Sequence, residues 1–276
     1  METHVYATRN GQELKLDAFQ PTGKPKAAVL ILHGGGWRVG TKDWMGEVAT
    51  ALAGHGLLAL PTQYRLLPEA PWPAQIADVK SAIRWVRRNA DKLGVAPDKI
   101  AIEGFSAGGH LALLAAGVAN EAAFDTDGDS GDASVGAAIA FFPPIEFQPG
   151  SRTPGITDAT RLLGDGATAD AARLASPIHH VDKNYPPTCL FHGTSDHVVP
   201  HSTSQRMFDA LTAAGVAADL NLFAGHTHEF CALPSMLPQV QATAASFIQR
   251  QLVDPEYYRN ENLTLNNFAR AQAQGR

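Results

Sequence analysis

Gly104-Phe105-Ser106-Ala107-Gly108 sets a serine between two glycines at a spacing suited to nucleophilic catalysis. A serine hydroxyl attacks a carbonyl well when a sharp turn lifts it clear and a base takes its proton. Small residues are needed two before and two after it, because a Cβ there would meet the adjoining strand and helix. The flanks supply that context. Ile100-Ala101-Ile102-Glu103 has strand character, and Leu111 to Ala116 is a run of strong helix formers. Ser106 is therefore read as a nucleophile on a strand-to-helix turn, with the helix N-terminus aimed at developing negative charge.

Two further stretches complete such chemistry. His33-Gly34-Gly35-Gly36-Trp37 ends the apolar run Ala27 to Leu32, some 70 residues ahead of the serine. Consecutive glycines leave backbone N–H groups open to a substrate oxygen, so this stretch reads as the oxyanion loop. Asp196 follows the apolar strand Thr188 to His192, on the edge of a parallel sheet where ligands bind. Its carboxylate would hold a histidine in one tautomer and stabilise the imidazolium. The histidine comes from Ala224-Gly225-His226-Thr227-His228-Glu229-Phe230, where His226 and His228 are both available. Serine, aspartate and histidine then occur in that chain order, the last two 90 and 122 residues after Ser106.

Alternating strand and helix patterns must position these residues. Alternating segments His4 to Thr8 and Glu13 to Phe19 flank Asn10-Gly11, a hairpin signal. After them, strands at Ala27–Leu32, Leu57–Pro61, Ile100–Gly104, Val135–Phe142, Thr188–His192 and Ala218–Phe223 interleave with helices. Helices are expected over Asp43–His55, from Pro73 onward, after the serine, over His201–Ala214 and over Leu237–Leu252. That rhythm predicts an α/β fold with a mostly parallel sheet. Lys80, Arg84, Arg87 and Arg88 lie on the polar face of the Pro73 helix and read as solvated surface. Asp125 to Asp132 has a glycine at the wrong position for an EF-hand and reads as a polar surface loop. Residues 143–187, with a helical piece around Ala169 to Leu174, read as a cap-like insertion into one domain spanning 1–253. Residues 254–276 form a C-terminal extension. Its Tyr257, Tyr258, Leu263, Leu265 and Phe268 suggest packing on the domain or on a second subunit, as in a homodimer.

Composition excludes several classes. The net charge of −5, without a run of like charges, leaves no footprint for nucleic acid or a polybasic membrane contact. No apolar stretch reaches about 18 residues, so no membrane span is expected. Met1-Glu2-Thr3-His4 lacks the basic and apolar regions of a signal peptide, so a cytoplasmic location is expected. Cys189 and Cys231 are too few for a disulfide framework, and Cys189 reads as a buried core thiol. The pairs His179-His180 and His226-His228 lack accompanying ligands at metal spacing, so no metal or cofactor is expected.

These motifs carry a resemblance. With His33-Gly34-Gly35-Gly36-Trp37 and Gly104 to Gly109, the chain resembles the α/β-hydrolase superfamily, in its hormone-sensitive-lipase-like branch. More narrowly it resembles bacterial bifunctional feruloyl and acetylxylan esterases. That likeness rests also on Leu162-Leu163-Gly164, Ala175-Ser176-Pro177-Ile178, Pro186-Pro187 and His192 to Pro200, and covers roughly residues 12–250. It implies an α/β-hydrolase fold and a cofactor-free ester hydrolase for small-molecule esters. Ser106 would be nucleophile, Asp196 acid and His228 base. The oxyanion donors would be Gly35 or Gly36 with Ala107, and Trp37, Phe105 and His110 are expected at the substrate. An arylformamidase on the same fold is the alternative. The chain departs from the family pattern where Glu229 replaces a glycine and where Pro144-Ile145-Glu146 replaces Pro-Thr-Asp.

Overall fold

The computed structural model describes residues 1–125 and 128–274. The chain opens with an antiparallel hairpin, β1 (Glu2–Arg9) and β2 (Gln12–Ala18). Asn10 and Gly11 turn it with φ of 49° and 80°, the left-handed pair that a two-residue hairpin loop requires. Alternation along β2 buries Leu14 and Leu16. Antiparallel bridges from Leu16 to Thr62 and from Phe19 to Ala59 tie the hairpin to the edge of the main sheet.

The main sheet then builds in chain order. β3 (Ala28–Leu32), α1 (Gly46–Gly54), β4 (Leu58–Pro61), α2 (Ala74–Arg88) and α3 (Ala90–Leu93) precede β5 (Ile100–Phe105) and α4 (Ala107–Gly117). β6 (Ala137–Phe141) leads into a short parallel pair, β7 (Phe147–Gln148) and β8 (Thr157–Asp158), and two short helices, α5 (Thr160–Leu163) and α6 (Ala169–Leu174). β9 (Thr188–Gly193), α7 (Ser202–Ala213), β10 (Ala218–Phe223), α8 (Leu237–Ile248) and α9 (Pro255–Gln274) follow. Six strands pair in the order β10-β9-β6-β5-β3-β4, all parallel. Helices cover both faces, so β3, β4, β5, β6 and β9 are buried along their whole length, which is why they read as unbroken apolar runs. On one face Phe105, Phe141 and Phe191 stack across three neighbouring strands, with ring centroids 4.5 and 4.4 Å apart. The strand that carries the serine thus lies inside the sheet, between β3 and β6.

The fold corrects four expectations. The helix expected from Asp43 begins as a 3₁₀ turn, Lys42–Met45, before α1, and the one expected to Leu252 is α-helical only to Ile248 and then widens into a π turn. The basic face of α2 is solvated only at its C-terminal end, where Arg88 is exposed and Arg87 half-buried. Lys80 and Arg84 are fully buried, because the loop after α4 folds back over them. Asp125 takes ion pairs from Lys80 Nζ at 2.8 Å and from Arg84 Nη2, and carbonyls of Glu121 and Gly131 accept from the same two side chains at 2.8 Å. Hence the 125–132 segment is a counter-charge to α2 rather than a free polar loop; Thr126 and Asp127 lie outside the described residues. Helical periodicity sees a charged stripe but not the loop that will cover it. On α9 of the C-terminal extension Tyr258 is half-buried, Tyr257, Leu263 and Leu265 are 57%, 52% and 65% exposed within the single chain, and the Phe268 side chain lies outside the described residues. Among the described residues no helix is long and apolar enough to cross a membrane.

Candidate active site

Ser106 joins β5 to α4 with φ 52° and ψ −114°, a conformation few non-glycine residues hold without support. The glycines around it are needed for close approach. A Cβ on Gly104 would sit 2.1 Å from the Gly108 carbonyl oxygen, and one on Gly108 would sit 2.3 Å from that of Leu32. Helix, turn and strand are therefore in backbone contact, which drives the serine side chain out of the sheet edge.

Three loops meet there. His228 Nε2 accepts from Ser106 Oγ at 3.0 Å, and His228 Nδ1 donates to Asp196 Oδ2 at 2.6 Å. The other carboxylate oxygen of Asp196 accepts from the backbone N–H groups of Val198 and Val199 at 2.8 and 2.9 Å. Burial alone would raise the Asp196 pKa. Hydrogen bonds from His192, His228 and the Val199 amide overcome it and hold the carboxyl well below the usual carboxylate range. The Phe142 ring packs against His228 at 4.4 Å between centroids. His226 lies elsewhere, its ring 5.4 Å from Phe230 and its carbonyl accepting from the Ser195 amide. Glu229 takes φ 60°, so the glycine of the family pattern answers a left-handed position, and a side chain there costs about 1 kcal/mol.

The glycine loop expected to hold an oxyanion follows β3. Gly35, Gly36 and Trp37 take φ of 112°, 59° and 63°, curling the chain so that both glycines line a cavity with Ser106 and Ala107. That cavity, about 690 Å³, is also walled by Trp37, Arg38, Arg161 and His228. A second cavity of about 330 Å³ opens on the other side of Ser106, lined largely by apolar groups including Trp44, Phe105, Phe142 and Leu237. Trp37 and Phe105 thus line the cleft. His110 does not. It is fully buried behind Trp37, accepting from the indole N–H at 3.1 Å and donating to the Ala175 carbonyl at 2.8 Å. Burial lowers its pKa to about 4, so the ring stays neutral and props the tryptophan rather than touching substrate.

His192 was missed by the sequence reasoning. It is fully buried behind the aspartate, its Nε2 donating to the Val199 carbonyl at 2.8 Å and lying 3.3 Å from Asp196 Oδ2. Its Nδ1 accepts from Ser204 Oγ at 2.7 Å, which fixes the tautomer. A histidine ending an apolar strand four residues before a candidate aspartate was the available signal. Glu146, the other departure from the family pattern, stays out of the cleft and pairs with Arg206 on α7. Among the described residues no three His, Cys, Asp or Glu side chains group as a metal would need.

Glu103, on β5 beneath the turn, is fully buried. Its Oε1 accepts from Gln241 Nε2 at 2.9 Å, while Glu103 Oε2 and Gln241 Oε1 are both left without a partner. Burial raises its pKa to about 8, against a weaker opposing effect of the Gln241 hydrogen bond. Protonation turns Oε2 into a donor, the complement of the idle amide oxygen. Because the folded state holds this proton more tightly, its stabilising contribution is complete below pH 4.5, falls as pH rises, and is gone above about 8. The decline is on the order of 1 kcal/mol per pH unit. Glu103→Gln is expected to match the parent in melting temperature near pH 5 and exceed it by several degrees at pH 9. Melting curves that stay parallel across that range would exclude a protonated Glu103.

A family model described as BD-FAE matches residues 16–211. Esterase LipC of Mycobacterium tuberculosis is 35% identical over 199 residues, covering 69% of this chain and 49% of that protein. The chain spans about half the length of the first such curated relatives. Among solved structures, the propionate-bound esterase Est2 of Thermogutta terrifontis is 30% identical, with a TM-score of 0.77 over 90% of this chain and 93% of its own. The same esterase phosphorylated by paraoxon is 29% identical, with a TM-score of 0.78 over 91% and 94%.

Proposed function

This chain belongs to the BD-FAE family, and from that premise we propose that it is a serine carboxylic ester hydrolase for small acyl esters of the acetyl or feruloyl type. The observation that carries the reading is the hydrogen-bond chain from Ser106 through His228 to Asp196, opening on two unlike cavities. Asp196 accepts from Nδ1–H, so the lone pair of Nε2 is left for the serine proton. Oγ attacks the ester carbonyl as His228 takes that proton. The oxyanion is held by amides of Gly35 or Gly36 and of Ala107, each worth about 3 kcal/mol at the transition state. His228 then protonates the leaving alcohol, and water repeats the sequence on the acyl-enzyme.

His228 lines the larger cavity and not the smaller, which supports putting the leaving alcohol in the former and the acyl group in the latter. An apolar acyl pocket of about 330 Å³ suits acetyl, short aliphatic or single-ring aromatic acyl groups better than long lipid chains. The test is a panel of p-nitrophenyl acetate, butyrate, octanoate and decanoate beside methyl ferulate, acetylated xylo-oligosaccharide and N-formylkynurenine. Acetyl and feruloyl esters are expected to lead, with kcat/KM falling steeply at decanoate. Preferred turnover of the formamide would replace this reading with arylformamide hydrolysis.

A further inference from the structure

Charge is distributed unevenly about Ser106. The smaller cavity carries two acids in its lining, Glu47 and Glu229, and no lysine or arginine. The larger one carries Arg38 and Arg161, with Glu229 at the shared rim beside His228. It continues into a recess of about 450 Å³ that shares Thr157, Arg161, Val198 and Val199 and adds Arg152 and His197. Most other described arginines are committed: Arg84 and Arg88 to Asp125 and Asp129, Arg206 to Glu146, Arg250 to Asp219. Arg38 donates only to the Arg161 carbonyl, at 3.4 Å, and among the described residues no carboxylate lies within ion-pair distance of Arg38, Arg152 or Arg161. Asp158, the acid in the recess, spends an oxygen on the amides of Gly150 and Thr160 at 2.9 and 3.1 Å, and Arg161 acts on it only through space, beyond ion-pair distance.

Resting on the esterase reading above, we infer that the preferred substrate is an uncharged acyl group esterified to a hydroxy acid, whose carboxylate lies in the larger cavity against Arg38 and Arg161. Guanidinium groups recognise a carboxylate through paired N–H donors, and two of them at the mouth of a cleft raise the local concentration of an anion. On the acyl side the same negative group would face Glu47 with no cation to offset it, Glu229 standing at the rim of both cavities. The polarity of the cleft therefore assigns the charge to the alcohol that leaves.

The experiment compares 4-acetoxybenzoate with 4-acetoxybenzamide, which share the acyl group and the ring and differ in charge. It measures the ratio of their kcat/KM values in the wild type and in Arg38→Gln/Arg161→Gln. The wild-type ratio is expected to exceed that of the double variant by roughly fivefold to tenfold at low salt, and the excess to shrink as ionic strength rises, since both arginines are exposed. Equal ratios in the two proteins, with both esters hydrolysed, would overturn the charge assignment and leave the esterase reading standing. Turnover of neither ester would remove both.

Discussion

Ser106→Ala is expected to lower kcat by about 10⁴ to 10⁶-fold while leaving the fold intact. The loss is large because attack, proton transfer and acyl-enzyme formation all run through one oxygen, and the oxyanion donors left behind have no covalent step to stabilise. The fold should survive because the hydroxyl takes no part in the backbone approach at the turn, which depends on Gly104 and Gly108. Two measurements check the role together. Steady-state hydrolysis of p-nitrophenyl acetate reads the rate, and intact mass after incubation with paraoxon reads the oxygen itself. Wild type should gain one phosphoryl adduct and the variant none. An adduct on Ser106→Ala, or a rate within tenfold of wild type, would place the nucleophile elsewhere.

Asp196→Asn is expected to cost about 10⁴-fold in kcat with little change in KM, and the reason is a proton on the wrong nitrogen. The amides of Val198 and Val199 both donate to Oδ1 of Asp196. An asparagine keeps those bonds by placing its carbonyl oxygen there, which turns its NH₂ toward His228 Nδ1. That nitrogen must then accept, so the hydrogen moves to Nε2 and meets the serine oxygen with no lone pair to take its proton. His192 Nε2–H, 3.3 Å from the position that becomes a donor, loses its acceptor there, a further cost of the substitution. In the parent, the depressed Asp196 pKa keeps the carboxylate ionised through the mildly acidic range. Its contribution to stability is present above the ordinary carboxylate value of 3.8 and is lost as pH falls through its lower folded value. An Asn variant that retains a tenth of the activity would mean that His228 is oriented by something other than Asp196.

Much of this was legible because it is written in short-range patterns. The hairpin turn follows from Asn10-Gly11, and the strand–turn–helix around Ser106 follows from glycine spacing and apolar runs. Even the helix at Ala169–Leu174 is visible as a local cluster of helix formers. What escaped depends on residues far apart in sequence. Lys80 and Arg84 read as surface because their partner, Asp125, arrives 41 residues after Arg84. His110 sits in a motif next to Ser106 and so reads as a substrate contact, yet its two partners, Trp37 and the Ala175 carbonyl, are 73 and 65 residues away and draw it into the core. The choice between His226 and His228 is likewise tertiary. A two-residue offset on one loop turns one ring toward Phe230 and the other toward Ser106.

The cleft also carries its own optical reporters. Trp44 walls the smaller cavity and is 58% exposed, whereas Trp37 walls the larger one, is 4% exposed and has its indole N–H bound to His110. Among the described residues Trp44 is the one tryptophan that stands largely in solvent, with Trp72 and Trp85 half-buried, so iodide should quench Trp44 most and Trp37 least. An acyl group seated in the smaller cavity would shield that quenchable fraction. An alcohol seated in the larger one would leave iodide quenching unchanged and shift the blue emission of the buried indole instead. Titrating substrate fragments against these two signals would tell the two halves of an ester apart before any bond is broken.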